Sequence, residues 1–197
     1  MIKVLQRIGI AFKRVWCYLL GNVLVFFGRY DRKYLCGRHF HGDISGRLAI
    51  GWEWVVYDYF NCKRANRNQN VPWPVSSQIV VVQPENIEFH PDDLNNFQGT
   101  GNYFQAQAKI SIGRDTYIAF NTGFITSNHD PMDPSKHLEP KPIQIGEKCW
   151  IGMNAVILPG VTLGDHTVVA AGAVVTKSFP EGHCVLAGVP ATIIKKL

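Results

Sequence analysis

The sequence predicts an all-β solenoid with an amphipathic helix before it and a short extension after it. Between residues 145 and 175 an aliphatic side chain recurs at every sixth position: Ile145, Ile151, Ile157, Leu163, Val169 and Val175. A helix needs apolar residues three and four apart, and a half-buried strand needs them two apart, so neither explains this spacing. A chain that turns a corner after each short strand does explain it, because one side chain in six then points inward.

A small or apolar residue stands two positions before each aliphatic one. These residues are Cys149, Ala155, Val161, Thr167 and Ala173. Side chains two apart point to the same face of a strand, so both members of each pair are expected inside. Three strands and three corners then close one coil of about 18 residues. The glycines beside aliphatic residues, Gly146, Gly152 and Gly164, are expected to let the chain bend at corners.

An earlier block repeats the pattern and assigns residues 79–180 to the solenoid. Its inward positions are Ile112, Ile118 and Phe124, preceded at two positions by Ile110, Thr116 and Thr122. Residues 79–109 follow the period loosely, with Val81 and Ile87 six apart, and are expected to form irregular early coils. Agreement over so many hexads is a strong signal of a repeat architecture.

Residues 1–30 are predicted to form a basic amphipathic helix. At 100° per residue, one side of this helix carries Val4, Leu5, Ile8, Phe12, Val15, Trp16 and Leu19, and the other carries Lys3, Arg7, Lys13 and Arg14. The uncharged run from Val15 to Gly28 is 14 residues, short of the roughly 20 that span a bilayer. Two interpretations remain open. The helix packs on protein, or it lies on an anionic membrane, where each basic residue contributes about 1 kcal/mol.

Charge and cysteine usage limit the partners and the compartment. Residues 1–38 hold eight basic side chains and one acidic side chain, while the rest of the chain is slightly acidic. Positive charge is therefore confined to the N-terminus, and no nucleic-acid partner is expected. The five cysteines are scattered and odd in number, and none forms a CxxC pair, so the sequence suggests neither a disulfide framework nor a zinc knuckle. We expect a cytoplasmic protein, or one on the inner face of the membrane.

Residues 31–78 form an aromatic and polar region. The stretch "WEWVVYDYF" (52–60) has the composition of a strand, and "NCKRANRNQNVPWP" (61–74) has that of a polar loop closed by prolines.

The repeat breaks once, between Phe124 and Ile145, which are 21 residues apart and three out of phase with a period of six. The intervening prolines are Pro131, Pro134, Pro140 and Pro142. Proline excludes both helix and ladder, so residues 130–142 are predicted to protrude as a loop from a corner. Loops on rigid frames commonly carry function.

His129 stands at the start of this loop. Histidine, with an ordinary pKa near 6.5, can act both as a general base and as a general acid at neutral pH. The adjacent Asp130 is a candidate to orient the imidazole. No metal is expected, because the His39 and His41 pair lacks a carboxylate partner at useful spacing.

The repeat, the loop and the tail resemble the hexapeptide-repeat acyltransferases, particularly the sugar and polysaccharide O-acetyltransferases. The resemblance lies in "TSNHDPMDP" (126–134), "CWIG" (149–152) and "AAGAVVTKSFPEGHCVLAGVPATIIKKL" (170–197). It implies a left-handed parallel β-helix, a catalytic His129, and Trp150 at the start of the coil after the loop. It also implies a homotrimer with each active site between neighbouring protomers.

The same resemblance implies the residues that hold acetyl-CoA. Met153 and Ala171 would line the pantetheine groove on successive coils. Thr176 and Lys177 would lie near the adenosine and its phosphates, and Lys195 would meet the 3′-phosphate. Residues 181–197 would form a tail over this site. Ammonium groups suit phosphates, and a narrow apolar groove suits the pantetheine arm.

The expected function is an acetyl-CoA-dependent O-acetyltransferase acting on a saccharide hydroxyl, of a polysaccharide or of a lipid-linked precursor. Three alternatives remain: an N-acyltransferase for a nucleotide amino sugar, an enzyme like serine acetyltransferase, and a non-catalytic hexapeptide-repeat assembly platform. A γ-type carbonic anhydrase is disfavoured, because it needs two histidines five apart near the loop, and His129 is followed by His137 instead.

Overall fold

A computed structural model describes residues 2–41 and 46–197, with side chains from residue 9 onward. The chain forms two compact units, Met1–Ser77 and Gln78–Leu197, which we call the N-terminal unit and the repeat unit. The N-terminal unit contains helices α1 (Ile2–Phe26) and α2 (Gly51–Ala65) and the short 3-10 helices Arg32–Tyr34 and Arg38–Phe40.

Helix α1 packs on α2 through one of its faces. Gly21 permits the close approach, because a Cβ there would lie 2.8 Å from the indole of Trp52. At the polar rim, Lys13 Nζ and Arg14 Nε donate to the carboxylate of Glu53 at 2.6 and 3.0 Å. Burial raises the pKa of Glu53, but the two hydrogen bonds outweigh it and hold the pKa below its ordinary value.

The opposite face of α1 is apolar and exposed. We call it the apolar stripe; its members are Phe12, Val15, Trp16, Leu19, Val23 and Phe26. By length and composition alone, the 18-residue segment Gly9–Phe26 is apolar enough to cross a membrane, with mean hydropathy 1.3, and 11% of it is buried. This segment begins before the uncharged run Val15–Gly28 and therefore includes two charged residues, Lys13 and Arg14.

The strand composition of residues 52–60 gave a wrong expectation, because this stretch lies within α2. Gly51, Val55, Asp58 and Cys62 are buried, at spacings of four, three and four residues. That is the spacing of one helix face. Aromatic and β-branched residues favour strands only where they fit a pleated surface. Here the burial of one helix face outweighs that preference, and the stretch is helical.

The repeat unit contains fourteen short strands within the described residues 78–197, and two 3-10 helices, Pro84–Asn86 and Pro91–Phe97. The strands are β1 (Val80–Val82), β2 (Ile87–Phe89), β3 (Tyr103–Gln105), β4 (Ile110–Ile112), β5 (Tyr117–Ile118), β6 (Gly123–Ile125), β7 (Ile143–Ile145), β8 (Trp150–Ile151), β9 (Val156–Ile157), β10 (Thr162–Leu163), β11 (Thr167–Val169), β12 (Val174–Val175), β13 (Cys184–Gly188) and β14 (Ala191–Lys196).

These strands form three sheets. Sheet A has the order β1-β3-β6-β9-β12, sheet B has β2-β4-β7-β10, and sheet C has β5-β8-β11-β13-β14. From β4 to β12 the chain passes through sheets B, C and A in turn. The strands within each sheet pair in parallel, except that β13 and β14 form an antiparallel hairpin.

The repeat positions stack on one another in register. Leu163, Val169 and Val175 pair with Ile145, Ile151 and Ile157, which stand three hexads earlier in the sequence. All the inward positions from Ile110 to Val175 are at most 9% exposed, both the aliphatic or aromatic ones and those two positions before them. The predicted inward-facing repeat is confirmed. Each fully buried aliphatic side chain contributes about 1.5–3 kcal/mol.

The loop insertion leaves this stack in register. Ile118 pairs with Ile151 and Phe124 pairs with Ile157, so partners across the loop are farther apart in sequence than the three hexads that separate partners elsewhere. The additional residues leave the stack between β6 and β7, at the corner from sheet A to sheet B. The number of additional residues is two and a half times the six-residue period. The extra half period shifts every later repeat position by three residues, which is the phase break seen in the sequence.

The glycines at the corners allow close approach between rounds rather than a bend. A Cβ on Gly152 would lie 2.7 Å from both Ala171 N and Val169 O, and one on Gly146 would lie 2.6 Å from Asp165 N. Neither glycine has a positive φ. The expectation that they supply conformational freedom is therefore wrong, since the backbone of the next round is what excludes a side chain.

A side chain takes the place of a strand at the edge of sheet C. Among the strands of the described residues, β5 pairs with β8 alone, on one of its sides. On its other side Asn96, which is 3% exposed, donates from Nδ2 to Thr116 O at 2.8 Å and accepts from Ile118 N at 3.0 Å. One asparagine amide thus satisfies the two backbone groups that a further strand would otherwise bond.

Candidate active site

Thr126 and Ser127 anchor the backbone from which the loop leaves sheet A. Both are buried. Thr126 Oγ1 donates to Gln105 O at 2.6 Å, and Ser127 N donates to Gln105 Oε1 at 3.1 Å. Ser127 Oγ donates to Leu138 O at 3.2 Å, which ties the returning arm of the loop to the same base. His129 therefore stands two positions beyond a fixed point.

His129 is exposed, and its Nδ1 lies 2.7 Å from Pro134 O. A carbonyl oxygen only accepts, so Nδ1 carries the proton in this hydrogen bond. In the neutral ring, Nε2 is then the unprotonated nitrogen and a hydrogen-bond acceptor. An acceptor nitrogen at a fixed position is what a general base for a hydroxyl group requires.

Asp130 does not orient this imidazole, and that expectation is wrong. Its Oδ1 accepts from Met132 N at 2.8 Å, in a local turn, while the acceptor at His129 Nδ1 is the carbonyl of Pro134. The backbone of Asp130 donates to Lys136 O at 2.9 Å. Asp130 therefore supports the loop backbone rather than the ring.

A cleft of about 210 Å³ adjoins the mouth of the loop. It is lined by Asn128, Leu138, Glu139, Lys141, Leu158, Pro159 and Thr176. Thr176, which the tail motif singled out, thus shares a cleft with the residue that precedes His129. Leu158 stands three hexads before Thr176, so the two occupy the same corner on successive rounds.

Met153 and Ala171 lie at a different corner, between sheets C and A. Met153 O accepts from Gly172 N at 2.8 Å, so the turns that carry Met153 and Ala171 are adjacent. Met153 is 44% exposed and Ala171 is also exposed. Together they present an apolar surface at the edge of sheet A.

Trp150, Lys177 and Lys195 all face solvent. Trp150 begins β8 and is 58% exposed. Lys177 Nζ lies 5.7 Å from the ring centre of Phe179. Lys195 is in β14, opposite Val185 of β13. Within the part of the chain that the structure describes, neither lysine forms an ion pair, so both ammonium groups are available to an anionic ligand.

A single chain does not gather these side chains into one cleft. His129 and Thr176 belong to the corner from sheet A to sheet B, whereas Met153 and Ala171 belong to the corner from sheet C to sheet A. The strands of sheet A separate the two groups.

Three buried cysteines are poor nucleophiles. Burial raises the pKa of the Cys17 and Cys149 thiols, and it raises the pKa of Cys62 to about 11. Since the thiolate is the reactive form, these thiols offer no route through a covalent acyl-cysteine. Among the described residues there is also no group of three His, Cys, Asp or Glu side chains that could hold a metal ion.

Comparisons with known proteins match the repeat. Residues 142–177 match the bacterial transferase hexapeptide family (six repeats). The putative acetyltransferase YJL218W of Saccharomyces cerevisiae is 40% identical over 94 residues, which are 46% of this chain and 47% of that protein. The putative lipopolysaccharide biosynthesis O-acetyl transferase WbbJ of Escherichia coli is 41% identical over 99 residues, 44% of this chain and 50% of that protein.

Residues 142–177 of the chain are thus similar to the bacterial transferase hexapeptide repeat. The chain spans about half the length of the curated relatives it matches. A solved structure of galactoside acetyltransferase in complex with coenzyme A has the same fold, with a TM-score of 0.54 and 24% identity over 91% of this chain and 80% of that one.

Two contacts in the candidate site were not foreseen from the sequence. The acceptor for His129 Nδ1 is a backbone carbonyl, and every residue has one, so no residue type indicates it. The other contact is His137, whose backbone bridges to His129 across the loop. The sequence separation of His129 and His137 indicates this contact only when the loop is known to fold back on itself as a hairpin.

Proposed function

We propose that this hexapeptide-repeat protein is an acetyl-CoA-dependent O-acetyltransferase that acts on a saccharide hydroxyl, with His129 as the general base. The observation that carries the proposal is the hydrogen bond from His129 Nδ1 to Pro134 O, which leaves Nε2 as an acceptor at the mouth of the loop. The similarity to WbbJ, described as an O-acetyl transferase of lipopolysaccharide biosynthesis, supports a polysaccharide or lipid-linked acceptor.

We also propose that the repeat unit is a left-handed parallel β-helix. Three parallel sheets visited in turn, and a register of three hexads per round, support a coil with three sides. The likeness in fold to galactoside acetyltransferase supports the same arrangement.

The chemistry assigned to His129 is a proton shuttle. Nε2 takes the proton of the acceptor hydroxyl as that oxygen forms a bond to the thioester carbonyl carbon. The carbon–sulfur bond then breaks, and the proton on Nε2 passes to the leaving thiolate of coenzyme A. The products are the acetyl ester and the free thiol, and the imidazole returns to its starting tautomer. A positioned acid–base group of this kind contributes typically 10²- to 10⁴-fold to the rate.

Five residues are assigned to coenzyme A. Met153 and Ala171 offer an exposed apolar surface for the pantetheine arm on adjacent turns. Thr176 contributes a hydroxyl to the cleft beside Asn128. The exposed ammonium groups of Lys177 and Lys195 suit the phosphates. Trp150 and Asp130 have supporting roles, on the face of sheet C and within the loop respectively.

The site assigned here is completed by a second copy of the chain, and we propose a homotrimer. Because His129 and Met153 lie at different corners of one chain, closing a cleft between them needs the corner of a neighbour. Cyclic association supplies that contact in each of three equivalent sites. Light scattering is expected to give three times the chain mass of 22.1 kDa; a monomer at working concentrations would contradict this assignment.

The test of the function compares histidine variants in a thiol-release assay with acetyl-CoA and a panel of saccharides. His129→Asn removes the imidazole and is expected to lower kcat by about 10²- to 10⁴-fold. His166→Asn, made in a corner turn away from the loop, is the matched control and is expected to keep the wild-type rate. Turnover by His129→Asn within twofold of wild type would refute the role of His129. Absence of acetyl-CoA binding in calorimetry would favour a non-catalytic platform.

A further part of the proposal concerns α1. We assign the protein to the cytoplasm, peripheral on the inner face of the membrane, with the apolar stripe against anionic lipid. The exposure of Phe12 (75%) and Trp16 (59%) supports this contact. The pairing of Lys13 and Arg14 with Glu53 supports a helix that lies on the surface rather than one that spans it.

Vesicle co-sedimentation tests the membrane contact. Binding is expected to require anionic lipid and to weaken with salt. Phe12→Ser in the stripe is expected to weaken it, whereas the matched change Phe60→Ser at an exposed position of α2 is not. Equal binding to neutral and anionic vesicles, or equal effects of the two variants, would contradict the assignment.

A further inference from the structure

The loop that carries His129 folds into a tight hairpin held by its own hydrogen bonds. Leu138 N donates to Asn128 O at 2.8 Å, and Asp130 N donates to Lys136 O at 2.9 Å. Between these two hydrogen bonds, His129 and His137 are directly opposite each other as an antiparallel bridge. Directly opposed residues in such a pair project their side chains to the same side, so the two imidazoles are neighbours.

The tip of this hairpin is fixed independently of the rings. Asp133 accepts from the backbone and the hydroxyl of Ser135, at 3.2 and 2.6 Å. Lys136 N donates to Asp133 O at 2.9 Å, and its ammonium lies 3.0 Å from the Asp133 carboxylate. The turn therefore holds Pro134, whose carbonyl meets His129, without help from either histidine ring.

The two imidazole rings are in contact. Their centres are 4.1 Å apart, and their planes are inclined by 37°. The separation is shorter than the roughly 4.5–7 Å usual for aromatic pairs, so the ring of His137 covers one face of the ring of His129. The Pro134 carbonyl occupies the Nδ1 edge of the same ring. One face and one edge of His129 are thus taken by the loop, and the Nε2 edge remains.

We infer that His137 is a positioning residue that holds the His129 imidazole with Nε2 directed toward the acceptor hydroxyl. This inference rests on the proposed role of His129. An exposed histidine ring turns readily about its two side-chain torsions, and a base must be within hydrogen-bond reach of the proton it takes. Contact with His137 restricts both torsions, and the restriction preserves the hydrogen bond that keeps the proton on Nδ1. His137 itself touches no reacting atom.

The kinetic test uses two substitutions of His137 and a matched control. His137→Asn removes the ring, and His137→Phe keeps a flat ring that neither titrates nor forms hydrogen bonds. The control is His166→Asn, because His166 also stacks on another histidine, His183, with ring centres 4.9 Å apart. Asparagine tolerates the positive φ of 54° at His166.

His137→Asn is expected to lower kcat about tenfold and to leave KM within twofold, because the base is misdirected while binding is retained. His137→Phe is expected to recover at least half of the wild-type kcat, and His166→Asn to equal wild type. An unchanged kcat for His137→Asn overturns the inference. So does a His137→Phe variant as slow as His137→Asn, since ring contact would then not be the operative property.

A spectroscopic test works without turnover and separates this inference from the proposed function. The ¹⁵N shifts of His129 are expected to report the Nδ1–H tautomer in the wild type and in His137→Phe, and a mixture of tautomers in His137→Asn. The same spectrum for all three proteins overturns the positioning role, whatever the enzyme assay gives. Wild-type turnover by His129→Asn would instead refute the proposed function, and the ring geometry would still be measured.

Discussion

Replacing Asn96 tests whether its side-chain amide stabilises the edge strand β5 of sheet C. This amide donates to Thr116 O at 2.8 Å and accepts from Ile118 N at 3.0 Å, beside β5, which is the last strand of sheet C in the described part of the chain. Since Asn96 is 3% exposed, both backbone groups depend on it rather than on bulk water. Asn96→Ala removes the two hydrogen bonds at once.

The expected cost follows from those two groups. A buried backbone donor or acceptor left without a partner costs about 1–3 kcal/mol. Because Asn96→Ala leaves one buried acceptor and one buried donor without partners, it is expected to lower the free energy of unfolding by about 2–6 kcal/mol. A domain typically has about 5–15 kcal/mol in total, so the loss is a large share of stability.

Urea unfolding followed by circular dichroism measures this loss, at one protein concentration because association contributes to apparent stability. Asn70→Ala, at an exposed position of the N-terminal unit, is the control and is expected to change stability by less than about 0.5 kcal/mol. Asn96→Asp keeps the acceptor for Ile118 N and places a carboxylate oxygen against Thr116 O, so its deficit is expected to shrink as the acid protonates. A loss below about 1 kcal/mol for Asn96→Ala, at an unchanged m-value, would refute the reasoning.

Two other predictions concern a corner glycine and an ion pair. Gly152→Ala would place a Cβ 2.7 Å from Ala171 N, so a loss of about 1–3 kcal/mol is expected in the same urea assay, and wild-type stability would contradict the packing argument. Burial raises the pKa of Glu53, but hydrogen bonds from Lys13 and Arg14 lower it overall. The stability that Glu53 adds is thus complete above its ordinary pKa of 4.5 and is lost as pH falls toward the folded-state value. Melting temperature against pH should show this acid loss in the wild type and less of it in Glu53→Gln; identical profiles would exclude it.

Much of the candidate site was predictable because its framework is local in sequence. The period of six identified which side chains face inward from Ile112 to Val175, and the phase break before Ile145 located the loop that begins after His129. Both are counts along the chain. Because every round of the stack has the same length, the spacing repeats along the chain. It can therefore be counted in the sequence without knowledge of any long-range contact.

The rest depended on contacts between distant or structurally unmarked groups. Helix α2 has the composition of a strand, and its helical spacing became decisive only through the face that it buries. Nothing in the sequence distinguishes Asn96 from other polar residues. Its role follows only from the structure, in which it lies beside β5 at the edge of sheet C.

Within the loop, the sequence by itself determined that an imidazole stands at the mouth, and the tertiary structure decided what holds it. Pro134 contributes a backbone carbonyl and His137 contributes a ring face, and neither role has a signature in residue type or spacing. The physical reason is that periodic burial is repeated in every round, whereas a hydrogen bond or a ring contact forms once, where the folded chain happens to bring two groups within about 3–4 Å.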